Sequence, residues 1–168
     1  MSTRITTPVG IASFPALFTP VGFNGSPEKF SVTLIYDKDE DLSSLKKACD
    51  AALAKKYPNG APANVQMPVK DGDTKLDANG NVRPEFSGKK FITATCKAED
   101  RPKVVNGELQ PIIDASEIYG GCELRVSVNV FAWEHMGKRG CSLYLSNAQK
   151  TGDGQAFGAN TSVESDFG

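Results

Sequence analysis

The sequence predicts a mainly β protein with one helix, and three observations predict it. Residues 122–133, "CELRVSVNVFAW", alternate strictly, with Cys122, Leu124, Val126, Val128, Val130 and Ala132 on one row. Residues 29–36, "KFSVTLIY", alternate as cleanly, with Phe30, Val32, Leu34 and Tyr36 on one face. Side chains of a strand point to opposite faces with period 2, so each row is the core side of a strand. Only "DKDEDLSSLKKACDAALAKKY" (37–57) has helical period, through Leu42, Leu45, Cys49, Ala52 and Leu53.

The remaining elements follow in chain order. "GIASFPALFTP" (10–20) reads as a β segment broken by Pro15 and Pro20, followed by a turn at Asn24-Gly25. Asp39 or Asp41 suits the helix N-cap, Lys55 and Lys56 suit its C-terminal dipole end, and "PNG" (58–60) stops it. Residues 58–88 are rich in Pro, Gly, Asn and Asp and read as a long, partly irregular insertion. "DGDTKLDANG" within it resembles a calcium loop. Lys75 stands at a ligand position and Leu76 where the turn glycine belongs, which excludes an EF-hand. "KKFITATCK" (89–97) is a strand, Asn106-Gly107 marks a hairpin turn, "EHMGKRG" is a hairpin loop, and "CSLYLSNAQK" (141–150) is the last strand. One helix among five to seven strands predicts an OB-fold-like five-stranded barrel in residues 1–150 with a long loop insertion. Residues 151–168 read as a flexible acidic C-terminal tail.

Composition narrows the function. No apolar run approaches the roughly 20 residues of a membrane span, and the N-terminus lacks a signal-peptide core, so a cytoplasmic protein without membrane contact is expected. Cys49, Cys96, Cys122 and Cys141 form no C-x-x-C pair and His135 is the only histidine, so no metal site is expected and free buried thiols are. No P-loop, nucleophile elbow or metal spacing is present, so no enzyme or cofactor is expected. The tail holds Asp153, Glu164 and Asp166 and no base, which leaves the body with 19 basic and 17 acidic residues. A basic-leaning body with an acidic end suits a polyanion partner.

The outward row of 122–133 carries the chemistry: Arg125, Asn129, Phe131 and Trp133. One bland alternative is that the helix or loop 58–88 covers these side chains. Single-stranded nucleic acid offers ring faces and phosphates, and aromatics beside cations are what bind it. Lys89, Phe91, Lys97, Arg101, Lys103 and Tyr144 extend the same candidate surface if their strands are neighbours. Aromatic platforms also stack on sugars, so a carbohydrate-binding or structural module is the rival reading. A homodimer interface is a third.

"FPALFTP", "KFSVTLIY", "MPVKDGD", "PEFSGKKFITA", "RPKVV", "DASEIYGGCELRVSVNVFAW", "LSNAQK" and "SVESDF" occur in this order over nearly the whole chain. This ordered set resembles a family of tailed-phage single-stranded-DNA-binding proteins. The resemblance implies an OB-fold, no catalysis, and coating of single strands during phage DNA replication or recombination in the host cytoplasm. Tyr119, Arg125 and Asn129 match positions of the family pattern, and Phe131 and Trp133 fall where its strand has aromatics. The end of the chain, with Glu164, Asp166 and Phe167, is similar to the acidic tails by which bacterial single-strand binders recruit replication and recombination partners. Here Gly168 follows Phe167, a departure from a terminal Phe.

Overall fold

The structure, a computed structural model, describes residues 3–22, 25 and 27–154. Its frame is a set of long strands that close on themselves. β1 (Arg4–Thr6) and β2 (Gly10–Val21) lie end to end along one edge of the strand Glu123–His135. β2 pairs with β3 (Lys29–Asp37), antiparallel. The expected break at Pro15 is instead a pair of register shifts, after Ser13 and after Ala16. Proline has no N–H for the ladder, and an irregular register lets β2 pass it without losing the strand. The Asn24 turn lies outside the described residues.

Between β3 and the next strand come α1 (Ser43–Lys56) and two short strands, β4 (Val65–Gln66) and β5 (Lys70–Asp71). β6 (Lys89–Lys97) pairs with β3 over its whole length, from Lys29↔Lys97 to Asp37↔Lys89. β7 (Lys103–Val105), β8 (Glu123–His135) and β9 (Lys138–Gly152) complete the chain. β8 and β9 form one long hairpin, Glu123↔Gly152 to His135↔Lys138. β9 meets β6 in parallel at Ala94↔Leu143 and Thr95↔Tyr144. The pairings β2–β3–β6–β9–β8–β2 therefore close a five-stranded ring, in agreement with the OB-fold-like barrel. β4 and β7 add to the free edge of β9, and β5 to β6.

The inward rows fill the ring. Phe30, Val32 and Leu34 of β3, Ile92 and Ala94 of β6, Leu124 to Val130 of β8, and Leu143 and Leu145 of β9 are buried at alternate positions. α1 packs Leu45, Ala48, Cys49 and Ala52 onto this core. It begins later than the sequence suggests: Leu42, not Asp39 or Asp41, is the N-cap and makes no side-chain cap bond, while Asp41 Oδ1 accepts from the Ser43 N–H at 2.9 Å and so covers one of the open donors of the first turn. That bond also holds the Asp41 carboxyl below its ordinary range. All four cysteines are free and buried. No helix among the described residues is long and apolar enough to cross a membrane.

The insertion 58–88 has more structure than its composition suggests. Phe86, fully buried, packs with Ile35 and Phe91 on the outer side of β3 and β6. The 3-10 turn Gly72–Thr74 fits under it, since a Cβ on Gly72 would sit 2.1 Å from the Phe86 carbonyl oxygen. At the other end β9 continues past residue 150 to Gly152, and the Tyr119 hydroxyl bonds Asp153 Oδ1 and the Gly154 carbonyl, both at 3.0 Å.

Tyr36 gives the fold an alkaline limit. Its hydroxyl donates to the Pro8 carbonyl at 2.7 Å, and burial pushes its pKa up to about 12, because the phenolate is disfavoured away from water. A raised folded pKa contributes stability that is complete below the unfolded value near 10 and is lost as pH rises towards the folded one. Urea titrations at about pH 8 and about pH 11 should show a loss on the order of 1 kcal/mol from this group. In Tyr36→Phe that part of the alkaline loss should disappear.

Candidate nucleic-acid interface

Pairing across the ring forces a matching set of outward side chains. Ser31 of β3 lies beside Thr95 of β6, Thr95 beside Tyr144 of β9, and Tyr144 beside Asn129 of β8. These four make one polar row over four strands. Thr33 and Thr93, the next pair, share a hydroxyl hydrogen bond of 2.9 Å. On β3 and β6 the floor of this face is therefore short hydroxyls, Ser31, Thr33, Thr93 and Thr95, bordered by Tyr144 and Asn129 on β9 and β8.

Rings stand at its sides. Trp133 pairs with Gly140, and a Cβ on Gly140 would come within 2.9 Å of Trp133 Cζ2 and 2.8 Å of the Gln66 carbonyl. Only glycine lets the indole lie across β9 while β4 approaches. Trp133 then lines a groove of about 390 Å3 with Thr93, Thr95, Ser142, Lys70 and Lys75. Phe131, 40% exposed, stands next on β8 and pairs with Ser142. On the β2 side Phe14 is 51% exposed and has φ of +48°. Its ring lies near-parallel to Phe86 at 6.4 Å, with the Arg83 guanidinium 5.1 Å and the Lys75 ammonium 5.7 Å from its centre.

The expected residues separate into groups. Arg125, Asn129, Phe131, Trp133 and Tyr144 share the outward face of the β8–β9 hairpin, and Lys103 lines a cleft with Arg125, Ser127 and Asn147. Arg125 Nε donates to Gln149 at 2.7 Å, which fixes the guanidinium along this face. The Tyr144 hydroxyl donates to Asp100 and accepts from the Lys97 N–H at 3.2 Å. The bond to Asp100 holds the Tyr144 phenol above its ordinary pKa. Lys97 is exposed at the end of β6.

Four others sit apart or beneath. Phe91 is 5% exposed and packs under Phe86, although it lends an edge to the Trp133 groove. Lys89 is ion-paired to Asp37. Arg101 donates to the Phe18 carbonyl at 2.8 Å and covers the Phe30 ring at 4.9 Å. Tyr119 holds the start of the C-terminal segment, with Lys150 5.4 Å from its ring. Glu164, Asp166 and Phe167 lie outside the described residues.

Sequence reasoning did not single out Phe14, Lys70, Lys75, Arg83 or Gly140 as parts of this face. A phenylalanine between Ser13 and Pro15 at the point where β2 loses its ladder was the available signal. The bases of the insertion gave none, since their place depends on how it docks.

A family profile described as the Enterobacter phage Enc34 ssDNA-binding protein matches residues 3–168. The chain belongs to that family. Its structure is similar to that of the single-stranded DNA-binding protein from bacteriophage Enc34 in complex with ssDNA. The TM-score is 0.72 at 25% identity, over 93% of this chain and 90% of that one. Another structure of the Enc34 protein is similar at a TM-score of 0.70 and 28% identity, over 98% of this chain and 89% of that one. The fold is also shared with gp2.5, a single-stranded DNA binding protein encoded by bacteriophage T7, at a TM-score of 0.61 and 16% identity, over 95% and 97% of the two chains. No curated protein matches the chain.

Within this member of the family, Phe14 tests how the face is held. A left-handed backbone is costly for any residue with a Cβ and free for glycine. Phe14→Gly should therefore be more stable than Phe14→Ala by roughly 1 kcal/mol in chemical denaturation. Equal stability of the two would show that the backbone at residue 14 relaxes once the ring is gone.

Proposed function

We propose that the protein binds single-stranded DNA without reading its sequence, and coats it during phage replication or recombination. The observation that carries this is one continuous outward face on which exposed rings alternate with cations that have no acidic partner. Lys38, Lys46, Lys89, Lys150 and Arg139 have carboxylate partners within 4.0 Å. Lys70, Lys75, Lys97 and Lys103 form no such pair among the described residues; Lys70 and Lys75 line the groove with Thr93 and Thr95, Lys97 ends β6 just beyond Thr95, and Lys103 lines the cleft with Arg125.

The division of labour suits the ligand. Trp133, Phe131 and Phe14 stack on bases, and every base has a ring face, so stacking tolerates any sequence. Lys70, Lys75, Lys97, Lys103 and Arg125 take phosphates, and Asn129 takes a base edge. The named ligand of the Enc34 relative supports this reading, as does family membership. Residues 1–150 carry the binding domain, and residues 151–168 serve as the acidic tail that recruits replication or recombination proteins through Glu164, Asp166 and Phe167. On this reading the protein has no catalytic step and acts in the cytoplasm of the infected bacterium.

Trp133, the only tryptophan, is the reporter. Titration with oligo(dT) should quench its emission, and Trp133→Ala should cost about 1–3 kcal/mol of affinity with the fold intact. Five phosphate contacts predict a slope of log K against log[salt] near −3.5, from about 0.7 per contact on single strands, and Lys75→Ala should flatten it by about 0.7. A salt-independent affinity would overturn the reading and favour a sugar-binding or structural role.

A further inference from the structure

Two basic residues with no task in the barrel stand at the end of α1. Lys55 and Lys56 are exposed, and neither has a carboxylate within 4.0 Å among the described residues. Locally they face the negative end of the helix dipole, and the Lys56 charge also acts on Glu134. One carbonyl of that end is capped, since the Tyr57 N–H donates to the Leu53 carbonyl at 2.8 Å, and the Tyr57 hydroxyl ties the cap residue to β8 by donating to Glu134 at 2.6 Å. The Lys56 ammonium stays 6.0 Å from the Tyr57 ring, a distance at which a cation–π contact is weak.

These lysines line a cleft of about 290 Å3 between α1 and β8, with Thr3, Asn129 and Phe131 as its other wall. The cleft offers donors and a ring. The Thr3 hydroxyl donates to Asn129 Oδ1 at 2.9 Å, so the amide oxygen is occupied and its Nδ2 donors are the free groups. Phe131 contributes its exposed ring. Two ammonium groups, an amide N–H pair and an aromatic face match a nucleotide: phosphate oxygens, the acceptors present on every base edge, and a base ring. The same strand β8 carries Phe131 in this cleft and Trp133 in the groove with Lys70 and Lys75, two positions apart on one face.

We propose that this cleft is a second nucleotide subsite, so that bound single-stranded DNA crosses the β8–β9 hairpin from the groove of Lys70, Lys75 and Trp133 to the end of α1. The inference rests on the single-strand reading of the Trp133 groove and extends it from Asn129 and Phe131 of β8 onto the end of α1. It makes Lys55 and Lys56 phosphate contacts, and it makes the helix part of the binding track as well as a plug of the core. A strand that fills only the groove should not reach them.

The test is a salt titration of the full-length protein with a long oligo(dT), followed by Trp133 emission. If Lys55 and Lys56 each hold a phosphate, Lys55→Gln/Lys56→Gln should flatten the slope of log K against log[salt] by about 1.4. Between roughly 50 and 200 mM salt it should then lose about sevenfold less affinity than the parent protein. Lys46→Gln/Lys47→Gln, the same charge change on the first turns of the same helix, should leave the slope unchanged. Both variants alter exposed side chains, and melting curves report any loss of fold. An unchanged slope in Lys55→Gln/Lys56→Gln, or an equal flattening in both variants, overturns the subsite, the second by showing only a long-range charge effect. In either case quenching of Trp133 by the oligonucleotide leaves the groove reading in place. No quenching in the parent protein would overturn the groove and the subsite together.

Discussion

The structure depends on the register of the β8–β9 hairpin. Val126, Val128 and Val130 face Ala148, Leu145 and Leu143 across it, and all are buried. Each of these valines and leucines contributes about 1.5–3 kcal/mol on burial, so this row holds the register against any slip. A shift of one residue would turn Arg125, Asn129 and Phe131 into the core and expose the valines. The hairpin also closes the ring, through two parallel pairs with β6. Because Thr95 and Tyr144 meet at that contact, the outward row continues unbroken from β3 to β8. The proposed binding face is thus the reverse side of the core, and its alignment follows from the same pairing.

The insertion 58–88 supplies charge to that face. Phe86 and Gly72 dock it on the outside of β3 and β6, where its backbone approaches too closely for any Cβ at residue 72. Docking carries Lys70 and Lys75 to the Trp133 groove and sets Arg83 over Phe14. The left-handed backbone of Phe14 costs about 1–2 kcal/mol, and the contacts of its ring with Phe86 and the two cations help to offset that cost. Strain of this kind persists where surrounding structure over-determines it, which is common in ligand clamps.

The net charge of −1 conceals this arrangement. Asp37, Asp71, Asp73 and Asp153 are matched by Lys89, Lys38 and Lys150 away from the Trp133 groove. Lys70 and Lys75 line the groove itself, and Lys55, Lys56, Lys103 and Arg125 line the clefts beside it. Attraction for a polyanion depends on the local field of such a face, not on the sum over the chain. Hydroxyls between the rings add no charge or bulk, so a strand can lie against them at any sequence.

The sequence by itself determined what is local and periodic. Alternation placed Phe30 to Tyr36 and Leu124 to Val130 inside, and so placed Arg125, Asn129, Phe131 and Trp133 outside, because a strand has only two faces. Helical spacing marked α1 for the same reason, and the ordered motifs indicated the family. Tertiary structure decided which outward residues share a surface. Lys89, Arg101 and Tyr119 are cationic or aromatic like the rest, yet each is engaged elsewhere by Asp37, by Phe18 and Phe30, or by Asp153 and Gly154. Lys70, Lys75, Arg83 and Phe14 are brought together from residues far apart in the chain by the docking of Phe86. Pairing partners across a ring and the path of a docked loop are long-range contacts, and no pattern within a few residues records them.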